Sequence, residues 1–369
     1  MAGGSLLPEY PSTNVPHWAL MKQIAIILHN LGGPTSLDAI RPFLTNLFLD
    51  PEIIKIPLPG MLGRFFPRRL FAEFVARRRT PKVIPNYQAI GGKSPLVERT
   101  EDQARALEAE LNRRFAGQAQ FHVRLGMRYW HPFTAETADD LKLKGVNEVF
   151  LMPLYPQYSR TTTGSSFKEW RDLNRGRYGR YFRVKSVKDY YLHPRYIEAI
   201  NNRIDATLAE RFSDEERRGL HFLFSAHGTP ISDVEAGDPY SKQIAATVEA
   251  VMKLRGNDYP HHLSFQSRVG PVKWLEPYTQ DALARLGAEG VRNLLVVPVA
   301  FVTDHIETLH ELDIELREVA EHAGIHKYEV MLALNDTPTF IAALADLVES
   351  RYGRELGRAA TSGRESADA

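Results

Sequence analysis

Two stretches of this chain are versions of one another, and that likeness limits the fold more than any other feature. "GVNEVFLMPLYPQYSRTTTGSS" begins at Gly145 and "GVRNLLVVPVAFVTDHIETLHE" at Gly290, with Pro153 and Pro298 in the same place in each. Two more pairs keep the same order. "NLGGP" follows an apolar run at 24–28 much as "AHGTP" follows one at 221–226, and "GMRYWHP" ends its run as "QSRVGPVKW" ends another. The spacing is too long for a solenoid. Matched elements in one order predict two similar halves.

Apolar runs at 24–28, 121–127, 148–154, 221–226, 261–266 and 294–300 alternate with helix-period segments at 97–115, 194–212, 242–254 and 306–323. The runs are continuous, as in strands buried on both faces. The expectation is the α/β class, with parallel sheets covered by helices on each side. Ligands of such sheets bind beyond the carboxyl ends of the strands, so the post-strand segments share one cleft.

Composition removes several classes of function. With 46 basic and 45 acidic residues the formal net charge is +1, so no global field favours nucleic acid. Cysteine is absent, which excludes disulfides, thiolate metal sites, cysteine nucleophiles and cysteine-ligated clusters, and gives no sign of secretion. No apolar run approaches the ~18 residues of a membrane-spanning helix. The first twenty residues do not read as a signal peptide, so the cytosol is the default location. Residues 1–20 and 356–369 are small, polar or Pro-rich and are expected to be flexible.

His227 stands at a strand's carboxyl end, before Gly228, Thr229 and Pro230. It either hydrogen-bonds locally where the chain turns, or serves as a base or metal ligand. In "FVTDHIETLHELDIE" (301–315), Asp304, Glu307, Glu311 and Glu315 fall on one face of an α-helix, with no Lys or Arg before Arg317. Asp304 and Glu307 have capping-box spacing, which leaves Glu311 and Glu315 unexplained. The row is either a solvated face or a path for protons or a divalent cation. His305 lies about 100° off the row and joins it only if the first turn is irregular. Trp274, Arg128 and Tyr129 follow matched strands and are either core or the walls of a site for a planar, carboxylate-bearing ligand. Segment 56–85 mixes Phe, Leu and Met with Arg77, Arg78 and Arg79. It is either a solvated basic helix or a lip that rests on anionic lipid.

Taken together, "LGGP", "RRTPK" with "YQAIGGKSPL", "MRYWHP", "LYPQYSRTTTGSS", "FSAHGTP", "GDPY", "FQSRVGPVKWLEPYT" and "DHIETLHELD" resemble the ferrochelatase family from about Lys22 to about Tyr352. The resemblance implies a chelatase-like fold of two Rossmann-like, doubly wound domains with the active-site cleft between them. The expected spans are 21–187, 188–338 carrying His227 and Glu307, and a helix at 339–355 that returns to the first domain. It implies Fe²⁺ insertion into protoporphyrin IX, with His227 and Glu307 as the catalytic and metal-binding pair. Leu31, Arg128, Tyr129 and Trp274 become the porphyrin pocket, and Asp304, His305 and Glu311 a proton or metal path. Leu31 resembles the protoporphyrin-using branch. Iron is then a substrate, and no iron–sulfur cluster can be held through cysteine. The lip brings peripheral contact with an anionic membrane and with the porphyrin-producing enzyme, and a monomer is favoured. Cobalt or nickel insertion, a coproporphyrin substrate and a non-catalytic porphyrin carrier stay open.

Overall fold

Eight strands form two four-stranded parallel sheets in a computed structural model of the chain, which describes residues 21–53, 68–268 and 272–365. The first sheet has the order β2-β1-β3-β4, from β1 (Lys22–Asn30), β2 (Ala119–Met127), β3 (Glu148–Pro153) and β4 (Arg183–Ser186). The second has the order β6-β5-β7-β8, from β5 (Leu220–His227), β6 (His261–Gln266), β7 (Asn293–Pro298) and β8 (Lys327–Val330). The repeated order makes the duplication structural.

The register agrees. His29 of β1 lies opposite Pro153, and Ser225 of β5 lies opposite Pro298. One residue further on, Leu154 N donates to His29 O and Val299 N to Ser225 O. Each third strand then leads into a π-helical segment, Arg160–Gly164 in one half and Glu307–Glu315 in the other.

Both faces of each sheet are covered. Ile24, Ile26 and Leu28 of β1 share one core with Phe222, Phe224 and Ala226 of β5. That core takes in helices Leu96–Arg114, Pro194–Arg211, Tyr240–Leu254 and Pro338–Glu365. Ala25 and Ile27 point the other way, to helices Thr134–Leu143 and Ser165–Arg175. Leu223 likewise meets helices Thr279–Ala288 and Leu316–His322. Each of the Ile, Leu and Phe side chains among them stabilises the fold by about 2 kcal/mol through burial, and double-sided burial is why the central strands read as apolar runs.

Three expectations need correction or restriction. The C-terminal helix runs Pro338–Glu365, so residues 356–365, read as part of a disordered tail, are helical. Leu356 is buried in the shared core and carries the helix past 355. On this helix Asp346 and Glu349 lie 2.7 and 2.9 Å from Arg114 Nη1, and Glu355 pairs with both Lys22 and Lys185. Residues 1–20, the 56–67 part of the lip and residues 366–369 lie outside the described residues. Among the described residues, no helix is long and apolar enough to cross a membrane.

Candidate active site

A sheet of order 2-1-3-4 has its switch point between the first and third strands, where a crevice opens. In the second sheet that point lies between β5 and β7, and His227 is the last residue of β5. Its Nδ1 donates to the carbonyl of Gly228 at 2.6 Å, since a carbonyl can only accept. That bond fixes the tautomer and leaves Nε2 free to act as base or ligand. Gly228 is needed for a second reason: a Cβ there would lie 3.0 Å from Gln266 O and 3.2 Å from the indole of Trp274. The bare backbone lets Trp274 close on the site. Its ring centre lies 6.2 Å from that of His227, tilted by 59°, and Pro230 pairs with Trp274 across a short bridge.

Glu307 opens the π-helix that follows β7. Its Oε1 lies 3.7 Å from His227 Nε2, and its Oε2 lies 3.5 Å from His305 Nε2. Both separations exceed a normal hydrogen bond, and Oε2 is buried with no hydrogen-bond donor. Burial pushes the Glu307 carboxyl up, but the charge of His227 and the nearby His305 imidazole outweigh it and leave Glu307 below its ordinary value. His305 reaches Glu307 because it lies ahead of the helix, which begins only at Ile306, and the helical offset does not apply to it. It is buried, donates from Nδ1 to Thr303 O, and packs against Phe301 with ring centres 4.5 Å apart.

The acid row differs from its α-helical reading. Over Glu307–Glu315 the backbone bonds i to i+5, which widens the turn. Residues four apart, which drift by about 40° on an α-helix, are thereby brought closer to one line. Glu311 accepts from Ser267 N at 2.8 Å and Ser267 Oγ at 2.5 Å. Burial and the charge of Glu307 push its carboxyl up, only partly offset by those bonds. Glu315 lies 3.5 Å from His310 Nδ1 and accepts from Asn86.

Asp304 does not belong to the row. It is buried and spends its oxygens on Ala333 N, Asn335 Nδ2 and Thr308 Oγ1 at 3.0, 2.7 and 3.1 Å. Nor is it an N-cap, because Ile306 precedes the π-helix without a side-chain cap. A saturated, dry carboxylate makes a brace, not a relay.

The first half supplies the other wall. Leu31 follows β1 and packs in an apolar cluster that also holds Tyr129, Trp130 and Ile306, the neighbour of Glu307. Tyr129 is buried and donates to Asp50 Oδ2 at 2.8 Å, so its hydroxyl is already committed. Arg128 pairs with Asp50 at 2.9 Å and with Glu169 at 3.2 Å. Asp50, Arg128, Ser165 and Glu169 line a separate cavity of about 410 Å³ that includes neither His227 nor Glu307. The structure thus joins Trp274, His227, His305, Glu307 and Glu311, and sets Arg128 and Tyr129 in a second network. Sequence reasoning missed Phe301, Ser267, Tyr87 and Tyr240. Burial raises the phenols of Tyr87 and Tyr240, and the charge of Glu307 adds to the rise in both. All four lie within recognisable motifs, Tyr87 in "YQAIGGKSPL", Tyr240 in "GDPY", Ser267 in "FQSRVGPVKWLEPYT" and Phe301 in "FVTDHIETLHELDIE", but residue type alone gave them no role.

Among the described residues, no three His, Asp or Glu side chains converge on a metal-sized site. Two groups facing each other across 3.7 Å can pass a proton, or hold an ion briefly, without caging it.

A family model named Ferrochelatase matches residues 23–352. The ferrochelatase of Gloeobacter violaceus is 45% identical over 339 residues, covering 90% of this chain and 99% of that one. That of Geotalea daltonii is 46% identical over 335 residues, with the same coverage. That of Synechococcus sp. (strain RCC307) is 44% identical over 335 residues, covering 89% of this chain and 83% of its own length. Among solved structures, SirB from Bacillus subtilis with Fe3+ matches 91% of this chain and 98% of its own, at 10% identity and a TM-score of 0.49. With the family model spanning most of its length and relatives this similar over nearly all of theirs, the chain belongs to the ferrochelatase family.

Proposed function

We propose that the cleft inserts Fe²⁺ into protoporphyrin IX, forming protohaem and releasing two protons. One observation carries the chemistry: His227 Nε2, its tautomer fixed by Gly228, faces the charged carboxylate of Glu307 at 3.7 Å beneath Trp274. Metalation removes two pyrrole protons while the ion sheds its waters. His227 Nε2 takes a pyrrole proton, and Glu307 stabilises the resulting imidazolium and passes the proton on. Glu311 suits the next place, since burial and the charge of Glu307 raise its carboxyl above the ordinary glutamate value and so make it a better proton acceptor than a free carboxylate. Trp274 and Leu31 supply the flat apolar contacts that a macrocycle needs, and binding energy there supports distortion of the ring.

Anaerobic mixing of protein, protoporphyrin and Fe²⁺, followed by the visible and Soret bands, tests this reading. Many turnovers per chain support it. Stoichiometric binding without turnover makes the protein a carrier, and turnover with cobalt or nickel but not iron makes it another chelatase.

The same reading includes peripheral contact with anionic lipid. Helix Arg68–Ala89 exposes Leu70 and Phe74, with the Arg78 guanidinium 4.8 Å from the Phe74 ring centre. At its far end Asn86 donates to Glu315 of the π-helix at 3.5 Å, so a substrate arriving from a bilayer would meet this helix before the site. Sedimentation with vesicles containing an anionic phospholipid should fall when Arg77, Arg78 and Arg79 become glutamine. Unchanged sedimentation, or none by the wild type, rejects the contact.

A further inference from the structure

The strand-to-helix turn that carries Glu307 is tied to the other half of the molecule by one buried amide. Gln103 sits on helix Leu96–Arg114, in the first half, and is completely buried. Its Nε2 donates to Val302 O at 3.1 Å and Asn335 O at 3.0 Å, and its Oε1 accepts from Thr303 Oγ1 at 3.1 Å. Both amide hydrogens and the carbonyl are used, and the two acceptors opposite Nε2 admit no flipped amide. Asn335 takes up the chain of contacts with a left-handed backbone (φ 45°), a conformation asparagine tolerates better than most residues. Its Oδ1 accepts from Asp304 N, and its Nδ2 donates to Asp304 Oδ2. Asp304 in turn holds Thr308, in the first turn of the π-helix, and Thr308 Oγ1 accepts from His305 N.

Every member is buried, and each polar atom named has a partner. Such a network specifies one arrangement, because any slip leaves buried groups unpaired. It encloses the peptide from Val302 to Thr308, within which His305 and Glu307 are set. The hydrogen bonds of Gln103, Thr303 and Asn335 go to one another, to the peptide and to Asp304, so their action on Glu307 is indirect.

We infer that Gln103, Thr303 and Asn335 are positioning residues that lock the Glu307 turn to the first half. The separation of Glu307 from His227 is thereby set by the docking of the two halves. The inference rests on the proposed iron insertion for its kinetic readout only.

Thr303→Val keeps the shape and removes one hydroxyl, Thr303→Ser restores it, and Gln103→Met cuts the tie from the other side. Three quantities are measured: kcat and the porphyrin KM for Fe²⁺ insertion, and amide hydrogen exchange over residues 303–312. Thr303→Val and Gln103→Met should each lower kcat at least about fivefold with the porphyrin KM held within about twofold, the signature of a displaced reacting group. Their combination should be no worse than the poorer single change, since both break one unit. Thr303→Ser should recover to within about twofold, and exchange over 303–312 should quicken about tenfold in Val and Met alone. A kcat unmoved by Thr303→Val, equal losses in Thr303→Ser, additive losses, or unchanged exchange would overturn the inference. If Thr303→Val does not fold, Gln103→Met carries the same test from the other half. A wild type that inserts no iron defeats the proposed function, and the exchange rates then decide the latch on their own.

Discussion

Glu307→Gln keeps the length and planarity of the side chain and removes only its charge. In the native site the carboxylate stands 3.7 Å from His227 Nε2 and 3.5 Å from His305 Nε2. At an effective dielectric of about 20, a unit charge at those distances interacts with a protonated imidazole by about 4–5 kcal/mol. His227 is 36% exposed, so solvent screening reduces its share to about 2 kcal/mol. The amide surrenders that stabilisation at the moment His227 becomes an imidazolium, and it cannot accept the proton that should follow. Loss of about 2 kcal/mol plus loss of the relay corresponds to a fall in kcat of roughly 10²–10⁴. The porphyrin KM should hold, since Trp274 and Leu31 are untouched. The assay is anaerobic initial-rate iron insertion at saturating porphyrin, followed by loss of free-base fluorescence, with thermal melts to confirm folding. A folded Glu307→Gln protein within about threefold of the native kcat would refute the reasoning and return Glu307 to a structural role.

Other outcomes follow from the same electrostatics. Glu307, held below its ordinary value, stabilises the fold above the usual glutamate range, and that contribution is lost as pH falls through its lowered value. Glu311, raised above its ordinary value, does the reverse: its contribution is full below the usual glutamate range and is lost as pH rises through its raised value. Glu311→Gln should therefore be more stable than the native protein at pH 7 and turn over more slowly, with the stability gain gone at pH 4; urea midpoints at the two pH values test it. Asp50→Ala strands Tyr129 Oη, Ser165 Oγ and one face of Arg128, and should cost about 3–5 kcal/mol in urea unfolding. Asp50→Asn, which keeps an acceptor, should cost less.

The central runs at 24–28, 148–154 and 294–300 were legible because double-sided burial keeps them almost wholly apolar, whereas the edge runs at 121–127 and 261–266 carry polar residues and were read from their flanks. β4 and β8 were not, since "RVKS" and "KYEV" are four-residue edge strands without such a run. The acid row was visible as a row, yet nothing in Glu307, Glu311 and Glu315 tells an i+5 backbone from an i+4 one. Asp304 looked like a member because it has the right spacing, and only the return of Ala333 and Asn335 from β8 shows where its oxygens go. Tyr129 shows the same limit. Its partner Asp50 lies 79 residues away, and a one-dimensional reading has no means to pair them. His227 and Trp274 were legible because each follows a strand that the repeat had already placed.

Counting two residues past the paired His29–Pro153 and Ser225–Pro298 positions lands on Leu31 in one half and His227 in the other. One architectural slot thus carries a hydrocarbon in its first copy and an imidazole in its second. Under the proposed chemistry, that slot would offer a macrocycle with two N–H protons a single exit. The two deprotonations would queue for the same nitrogen, and His227 would have to be emptied once between them. Turnover would then be paced by how fast the carboxylates behind it clear a proton, which gives the acid row a kinetic task as well as an electrostatic one.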